Sequence, residues 1–494
     1  MNVRQAASLM GADVNDLSAG LFDKEIHDFS IDSRSAKAGE VFFALSQKDY
    51  ARAGFNGTFA DGHQYLAAAF KSGAIAAVVR ADHLGCDSTE LQQFRDRMLV
   101  VDDVIVALQT LAHRVYAAWA GPVVGITGSA GKTTAKELTA HVLASNGRQV
   151  LKSERNYNNG LGLPLSVLRM VSEGRSPEQF DVAVLEMGMS SPTHEIQRLV
   201  QITPPDVGVE LMVAPVHLEY LGTIENIAAA KAELVEGLKP NGTAVLNADD
   251  DLVIKMRAKH QGRTITFGID RPADVAASEI DTTRLGLISF RLRTPLGEAP
   301  AELPMSGRHN LMNALAAAAV ATCFDIPPAA IAGALSTAVP PAMRGEVLEF
   351  ESGFTVVDDS YNSNPRSLLS MVRTIAEAGG GRQRRIVIAG EMLELGDDEQ
   401  ELHREAGREI AAAGIDILWG VRGLTRDLVA GAVEAGLTET RFFASSPEAA
   451  LAIVDAVQTG DLVLVKGSRG VATDRIVAAL RERFPLRDRS KAPK

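Results

Sequence analysis

The run Thr127-Gly128-Ser129-Ala130-Gly131-Lys132-Thr133-Thr134 carries the chemistry most readily read from this chain. An apolar stretch, Val123-Val124-Gly125-Ile126, leads into it, and an amphipathic one, Ala135 through Leu143, leads out toward Gly147. Strand, glycine loop and helix in that order build a phosphate cradle. The glycines let backbone N–H groups turn toward an anion, and the new helix adds the positive end of its dipole. Lys132 would set a point charge on terminal phosphates, and Thr133 would offer a hydroxyl to Mg²⁺. An ordinary glycine turn before a helix has no need of Gly-Lys-Thr at the helix start. The general form of such loops places a glycine five positions ahead of the Gly in Gly-Lys-Thr. Here that position is Ile126, which leaves the shorter Thr-Gly-Ser-x-Gly-Lys-Thr and argues against a small GTPase or a nucleoside kinase.

Other residues acquire meaning from this loop. Glu186 closes the apolar run Asp181 to Glu186, and open α/β sheets bind ligands at the carboxyl ends of their strands. A carboxylate there can hold Mg²⁺ beside a nucleotide, although a lone Glu at a strand end is more often simply solvated. His217 follows the strand region Val207 to Val216, and spacing alone reads it as a packed or surface histidine. Lys231 lies in a helical segment, Ile224 to Leu234, where the plain reading is a solvent-facing lysine near Glu233. Arg344 follows Pro340-Pro341 and is placed either to close on a transferring phosphoryl group or to make a hinge-side salt bridge. Asp358-Asp359-Ser360-Tyr361-Asn362-Ser363-Asn364-Pro365 packs more polar side chains than a turn requires, which favours ligand contact.

The elements that must position these residues fall into three units, expected at 1–103, 104–338 and 339–494. In the first, Val41 to Leu45 and Ala74 to Val79 read as strands and Tyr65 to Lys71 as a helix. A helix from Val104 to Ala120 passes into the second, where the strands Asp181 to Glu186, Asp206 to Val213 and Thr243 to Asn247 alternate with helical patterns. That alternation predicts a largely parallel sheet covered on both faces, closed by helices at Asn310 to Thr322 and Pro328 to Ala338. The third repeats the logic without a phosphate loop. Its strands are expected at Thr355–Val357, Arg385–Ala389, Ile415–Gly420, Arg441–Ala444 and Asp461–Val465. Its helices are expected at Glu399–Ala413, Leu424–Ala435, Pro447–Val457 and Val471–Phe484. The charged tail beyond Pro485 reads as frayed. The fold class is α/β throughout: a small N-terminal α/β unit, a P-loop ATPase-like unit and a Rossmann-like unit.

Bulk composition sets the outer limits. At 494 residues the chain exceeds one core. A net charge of −12 argues against a nucleic-acid surface, and Cys86 and Cys323 suggest neither a disulfide framework nor a zinc cluster. Met1 through Ser18 lacks the pattern of a signal peptide, and Leu311 to Phe324 is too short an apolar run to span a bilayer. A cytoplasmic, monomeric protein without membrane insertion is expected.

Taken together, these motifs resemble the Mur ligase family, which adds amino acids to the UDP-linked peptidoglycan precursor, and the resemblance spans nearly the whole chain. Ile31-Asp32-Ser33-Arg34, Gly39 to Leu45 and Asp61-Gly62-His63 resemble its uridine-nucleotide module, which implies substrate contacts at Ser33 and Arg34. Asn156-Tyr157-Asn158-Asn159-Gly160 with Gly162-Leu163-Pro164 resembles its substrate-facing segment, implicating Asn156, Asn158 and Asn159. The resemblance makes Glu186 and His217 metal ligands with Thr133, and Lys231 the lysine whose carbamylated amine bridges metals. It places Asn310 and Asn313, in Gly307 to Ala314, on the adenine, and Arg344 and Asp359 on phosphate and ribose. The stretch Asp358 to Pro365 resembles the branch that adds D-alanyl-D-alanine, implying substrate roles for Tyr361, Asn362 and Asn364. Glu391 to Gly396 and Val465 to Arg469 resemble the same branch, and the Asp-Asn-Pro-Arg motif of the diaminopimelate-adding relatives is absent.

The implied reaction uses ATP and Mg²⁺ to phosphorylate the tripeptide carboxylate of a UDP-N-acetylmuramoyl-tripeptide, and the amine of D-alanyl-D-alanine then displaces phosphate. The catalytic set implied is Lys132, Glu186, His217, Lys231 and Arg344. Two departures stand out: Met212 replaces the usual Asn ahead of His217, and Ser46 to Ala60 is longer than the family pattern. Rival readings are a folylpolyglutamate synthase-like ligase, opposed by Ser33 and Arg34, a nucleotide-dependent binding protein that has lost ligation, supported by Met212 alone, and a kinase-like transfer to a hydroxyl.

Overall fold

A computed structural model describes residues 1–55, 57–83, 92–154, 156–189, 194–215, 221–378 and 384–487. Three sheets organise the chain. The first holds β1 (Asp28–Ser30), β2 (Glu40–Phe43), β3 (Ala76–Arg80) and β4 (Met98–Val101), all parallel and in chain order. The expected helix at Tyr65 to Lys71 forms as Leu66–Lys71 behind a short turn of 3₁₀-helix at Gly62–Tyr65. Asp61-Gly62-His63 builds that turn. Asp61 accepts from the His63 N–H (2.9 Å) and pairs with His63 Nδ1 (2.6 Å), while His63 Nε2 accepts from the Arg80 N–H (3.1 Å). Any side chain at Gly62 would press on the Leu45 backbone.

The long segment Ser46 to Ala60 ties the first unit to the second. It forms the helix Gln47–Arg52, whose Asp49 is fully buried, pairs with Arg80 and accepts from the Val104 N–H (3.0 Å). Val104 opens the helix Val104–Trp119, capped by Asp103 through the Ile105 and Val106 N–H groups. Arg198 donates to the Ala53 carbonyl from the other side.

The central sheet has nine strands: β5 (Val123–Thr127), β6 (Val150–Lys152), β7 (Val182–Glu186), β8 (Val207–Glu210), β9 (Thr243–Asn247), β10 (Arg263–Gly268), β11 (Val275–Asp281), β12 (Ile288–Thr294) and β13 (Gly297–Leu303). Their order is β13-β12-β11-β10-β9-β8-β5-β7-β6, parallel from β6 to β11 and antiparallel across β11-β12-β13. The expectation of a largely parallel sheet therefore holds for its core and is corrected at one edge. β8 is also shorter than expected and stops at Glu210. β5 lies between β7 and β8: the chain runs from β5 to β6 and β7 on one side and then crosses to β8 on the other, which opens a crevice at the carboxyl end of β5. The phosphate loop follows β5 into that crevice. Separate apolar clusters cover the two faces of this sheet. The helix Arg308–Cys323 is apolar almost all round because it is enclosed between the sheet and the helix Lys132–Ser145.

The third sheet comprises β14 (Glu346–Glu349), β15 (Thr355–Asp359), β16 (Arg385–Gly390), β17 (Ile417–Val421), β18 (Thr440–Phe443) and β19 (Leu462–Lys466). The order is β14-β15-β19-β16-β17-β18, parallel except for β14, with an apolar cluster on each face. Its helices lie within a few residues of those expected, and one more, Pro365–Glu377, begins inside the polar stretch. The chain after Pro485 is not frayed at its start: the Pro485 carbonyl accepts from Glu351 N–H (3.0 Å), and Arg487 N–H donates to the Glu349 carbonyl (2.8 Å). Among the described residues, no helix is long and apolar enough to cross a membrane.

Candidate active site

The helix Lys132–Ser145 starts from Gly131, which sits at φ +84° and supplies no side-chain cap. Its first-turn N–H groups are therefore left for an anion, in contrast to the capped helix Val104–Trp119. The loop is braced by backbone rather than by its own side chains. Ser129 N–H donates to the Met212 carbonyl (2.8 Å), and Ser129 Oγ exchanges hydrogen bonds with Ala214 (3.1 and 2.9 Å). Met212 thus serves the loop through its carbonyl, which any residue at that position supplies. Lys132 folds back to donate to the Gly128 carbonyl (2.8 Å).

Thr133 is the meeting point of two units. Its hydroxyl donates to Glu186 Oε2 (2.9 Å) and accepts from the Arg344 guanidinium (3.2 Å). The other carboxylate oxygen of Glu186 accepts from Asn158 Nδ2 (2.9 Å). Loop, strand end, asparagine segment and an arginine of the third unit therefore converge. They line a cleft of about 1060 Å³ between the second and third sheets, together with Ser129 to Thr134, Asn156, Asn310, Asn313, Asp359, Tyr361, Asn362 and Asn364. Asp359 is held by Lys466 (2.6 Å), whose ammonium also reaches the Asn362 carbonyl (2.9 Å).

Several expected residues lie elsewhere or do other work. Thr127 and Gly128 sit beneath the loop and do not line the cleft. Asn159 is engaged locally, its Oδ1 accepting from Leu161 and Gly162 N–H (3.2 and 2.9 Å) at the start of the helix Gly162–Leu168. Asn364 lines the cleft and also caps Pro365–Glu377 through Ser367 N–H (2.9 Å). Ser33 and the exposed Arg34 lie on the first unit away from the cleft, where Arg34 grips Asp32 with two side-chain N–H groups (2.9 and 2.8 Å). His217 lies outside the described residues.

Lys231 overturns the plain reading of a solvent-facing lysine: it is buried. Burial pulls its amine down to about 7, helped by the charge of Lys132 and opposed by Glu210. Glu210, at the end of β8, is the acidic residue the sequence reading missed. It pairs in register with Thr127 and shares its face of the sheet. Neither Glu210 carboxylate oxygen nor the Thr127 hydroxyl has a hydrogen-bond partner among the described residues, and all are buried. Burial pushes the Glu210 carboxyl up to about 8, against the pull of Lys231 and Lys132. Desolvation likewise lowers the Lys132 amine, with Glu186 opposing and Arg344 reinforcing it. The signal for Glu210 was available, since it ends an apolar strand at the same edge as Glu186; extending that strand to Val213 hid it. His309 was also passed over. It bonds Ser370 Oγ (3.1 Å), and burial pushes it down to about 4, which keeps it neutral beside Asp359 and Lys466.

The oxygen donors gathered here, the Thr133 hydroxyl and the Glu186 carboxylate, suit a hard divalent cation. A phosphate loop on one sheet, faced by an arginine on another, defines a nucleotide-dependent group-transfer enzyme that works between two units. The chain belongs to the Mur ligase family: residues 126–321 match the Mur ligase middle domain and 343–469 the Mur ligase, glutamate ligase domain. It is 32% identical over 458 residues to UDP-N-acetylmuramoyl-tripeptide–D-alanyl-D-alanine ligase of Bacillus subtilis (strain 168), covering 92% of this chain and 93% of the relative. Among solved structures it is similar to MurF from Acinetobacter baumannii (TM-score 0.83, 27% identity, 97% of this chain and 98% of that one). It is also similar to MurF ligase from Thermotoga maritima in complex with ADP (TM-score 0.77, 26% identity, 93% and 98%).

Proposed function

We infer that this chain is the ATP-dependent ligase that joins D-alanyl-D-alanine to UDP-N-acetylmuramoyl-tripeptide, forming the pentapeptide precursor of peptidoglycan. The observation that carries the reading is the Arg344–Thr133–Glu186 chain of hydrogen bonds, which joins the arginine of one unit to the phosphate loop of another. A carboxylate becomes an acyl donor only when its oxygen is made a good leaving group. Transfer of the terminal phosphoryl group of ATP to the tripeptide carboxylate gives an acyl phosphate and ADP. The amine of D-alanyl-D-alanine attacks the carbonyl carbon, phosphate leaves, and one proton is released as the amide forms.

The first step brings two anions together. The uncapped helix start at Lys132, the ammonium of Lys132 and the guanidinium of Arg344 offset that repulsion and hold the phosphates in line. Thr133 and Glu186, with His217 and Lys231 once its amine is carbamylated to a carboxylate, would hold Mg²⁺. When bound, the ion neutralises charge on the phosphate oxygens. Asn158 holds the Glu186 carboxylate in its orientation. Asn310 and Asn313 face the nucleotide side of the cleft, with Asp359 held for the ribose by Lys466. Ser33 and Arg34 serve the uridine nucleotide on the first unit. The third unit closes the cleft over the acyl phosphate and excludes water from it. The units are read as residues 1–103, 104–338 and 339–494, and the substrates place the reaction in the cytoplasm.

The test is phosphate release from ATP and Mg²⁺ with UDP-N-acetylmuramoyl-tripeptide and D-alanyl-D-alanine each omitted in turn. Release only when both are present, with pentapeptide product by mass, supports the reading. ATP binding without turnover under every combination refutes it.

A further inference from the structure

The geometry points to Tyr361 as the positioning residue that aims Arg344 at the phosphate loop, an inference that rests on the phosphoryl-transfer reading above. Arg344 sits in a bend whose neighbours both have left-handed backbone, Met343 at φ +61° and Gly345 at φ +77°. That bend is pinned to the end of β15 on both sides of the arginine. Tyr361 N–H donates to the Met343 carbonyl (3.2 Å), and Gly345 N–H donates to the Asp358 carbonyl (2.9 Å). The backbone of Arg344 is therefore fixed relative to Tyr361 itself.

The side chain is held differently. Its guanidinium carbon lies 4.1 Å from the centre of the Tyr361 ring, and among the described residues its side chain donates a hydrogen bond to Thr133 Oγ1 alone (3.2 Å). Among the described residues no carboxylate pairs with Arg344. Most other arginines near the site are paired, as Arg308 is with Asp270 and Arg373 with Glu409. The distinction matters chemically. A carboxylate partner would orient the guanidinium but neutralise it and occupy its N–H fork, whereas an aromatic face orients it through the ring and leaves the N–H groups for phosphate oxygens. Arg469 approaches the same ring more distantly (6.0 Å) and reaches Met343 Sδ (3.9 Å), enclosing the bend from outside. A polar stretch that reads in sequence as substrate contact thus contains one residue turned toward the catalytic arginine.

The test is a double-mutant cycle on steady-state phosphate release, with each substrate varied in turn. Y361L is expected to lower kcat about fivefold to tenfold, the range of a half-desolvated cation–π contact, while KM for the UDP-tripeptide and for D-alanyl-D-alanine stays within about twofold. Y361F, which keeps the ring, is expected to recover most of that loss. R344A is expected to lower kcat strongly, and adding Y361L to it is expected to lower kcat no further. A loss from Y361L that persists in the R344A background, or that appears in KM for either peptide substrate, overturns the positioning role and leaves the phosphoryl-transfer reading intact. Full activity in R344A refutes the role of Arg344, and Tyr361 falls with it. Matched thermal midpoints of Y361L and Y361F exclude misfolding as the cause.

Discussion

Replacing Glu210 by Met in chelated, nucleotide-free protein is expected to stabilise the central unit by an amount that grows with pH. The carboxyl is fully buried, neither oxygen has a partner among the described residues, and burial lifts it from 4.5 to about 8. Between those values the folded state binds more protons than the unfolded one, so stability falls as pH rises, by up to about 1.4 kcal/mol per pH unit. The accumulated penalty is about 1.4 kcal/mol at pH 5.5 and roughly 3 kcal/mol at pH 7, and it levels off above pH 8. Methionine fills similar space and needs no partner. Lys231, losing the opposing charge, falls further below 7. Because a lowered amine makes stability rise with pH above its folded value, that change acts in the same direction. The pH-dependent part of the gain between pH 5.5 and 7 is therefore about 2 kcal/mol, on the order of 4–8 °C in midpoint for a unit of this size. Scanning calorimetry at the two pH values with chelator reads it. An equal gain at both pH values, or a loss that deepens with pH, refutes the reasoning.

Two further outcomes test the site. Gly131→Ala places a Cβ against Asn313 Oδ1 at a position with φ +84°, so ADP affinity by calorimetric titration is expected to fall at least tenfold, while the strain of a left-handed alanine, about 1–2 kcal/mol, lowers the thermal midpoint by only a few degrees. His309, held near 4 by burial, binds fewer protons folded than unfolded between about 4 and 6.5, so its contribution to stability is present above 6.5 and lost as pH falls through that window. His309→Gln is expected to remove about 2–3 kcal/mol of that acid-side loss at pH 4.5, read by comparing thermal midpoints at pH 4.5 and 7.

The phosphate loop and the regular α/β alternation were legible because each rests on local signals. Gly-Lys-Thr after an apolar strand is a contiguous pattern, and buried parallel strands read as unbroken apolar runs. The strands β10 to β13 were not read. Their alternation is plain in Ile288, Phe290 and Leu292 facing inward, but the segment interrupts an α/β rhythm that suggested nothing antiparallel. Lys231 shows the sharper limit. Its neighbours make a helix of ordinary surface composition, and only the packing of that helix against the sheet decides that the lysine points inward. Burial of a charged side chain is a tertiary fact, and single-sequence spacing carries no trace of it.

The same limit explains why the site divides as it does. Residues legible in sequence, from Ser129 to Thr134, present backbone N–H groups and a helix start, which local geometry dictates. Residues that tune the site act through distance and desolvation: Glu210 beneath the loop, Asn158 on the free oxygen of Glu186, Lys466 on Asp359 and Tyr361 under Arg344. Asn158, Lys466 and Tyr361 each restrain a charged group, whereas Glu210 has no hydrogen-bond partner among the described residues. Asn158 and Tyr361 do so with neutral groups, and Glu210 lies on the opposite side of the sheet from the helix that carries Lys132. Under the proposed reaction the cleft must accept several negative charges at once, and the two cations nearest the loop, Lys132 and Arg344, are oriented yet without a carboxylate partner among the described residues. That requirement selects a backbone carbonyl for Lys132 and an aromatic ring for Arg344, and it leaves Glu210, partnerless among the described residues, deep under the loop rather than in the cleft.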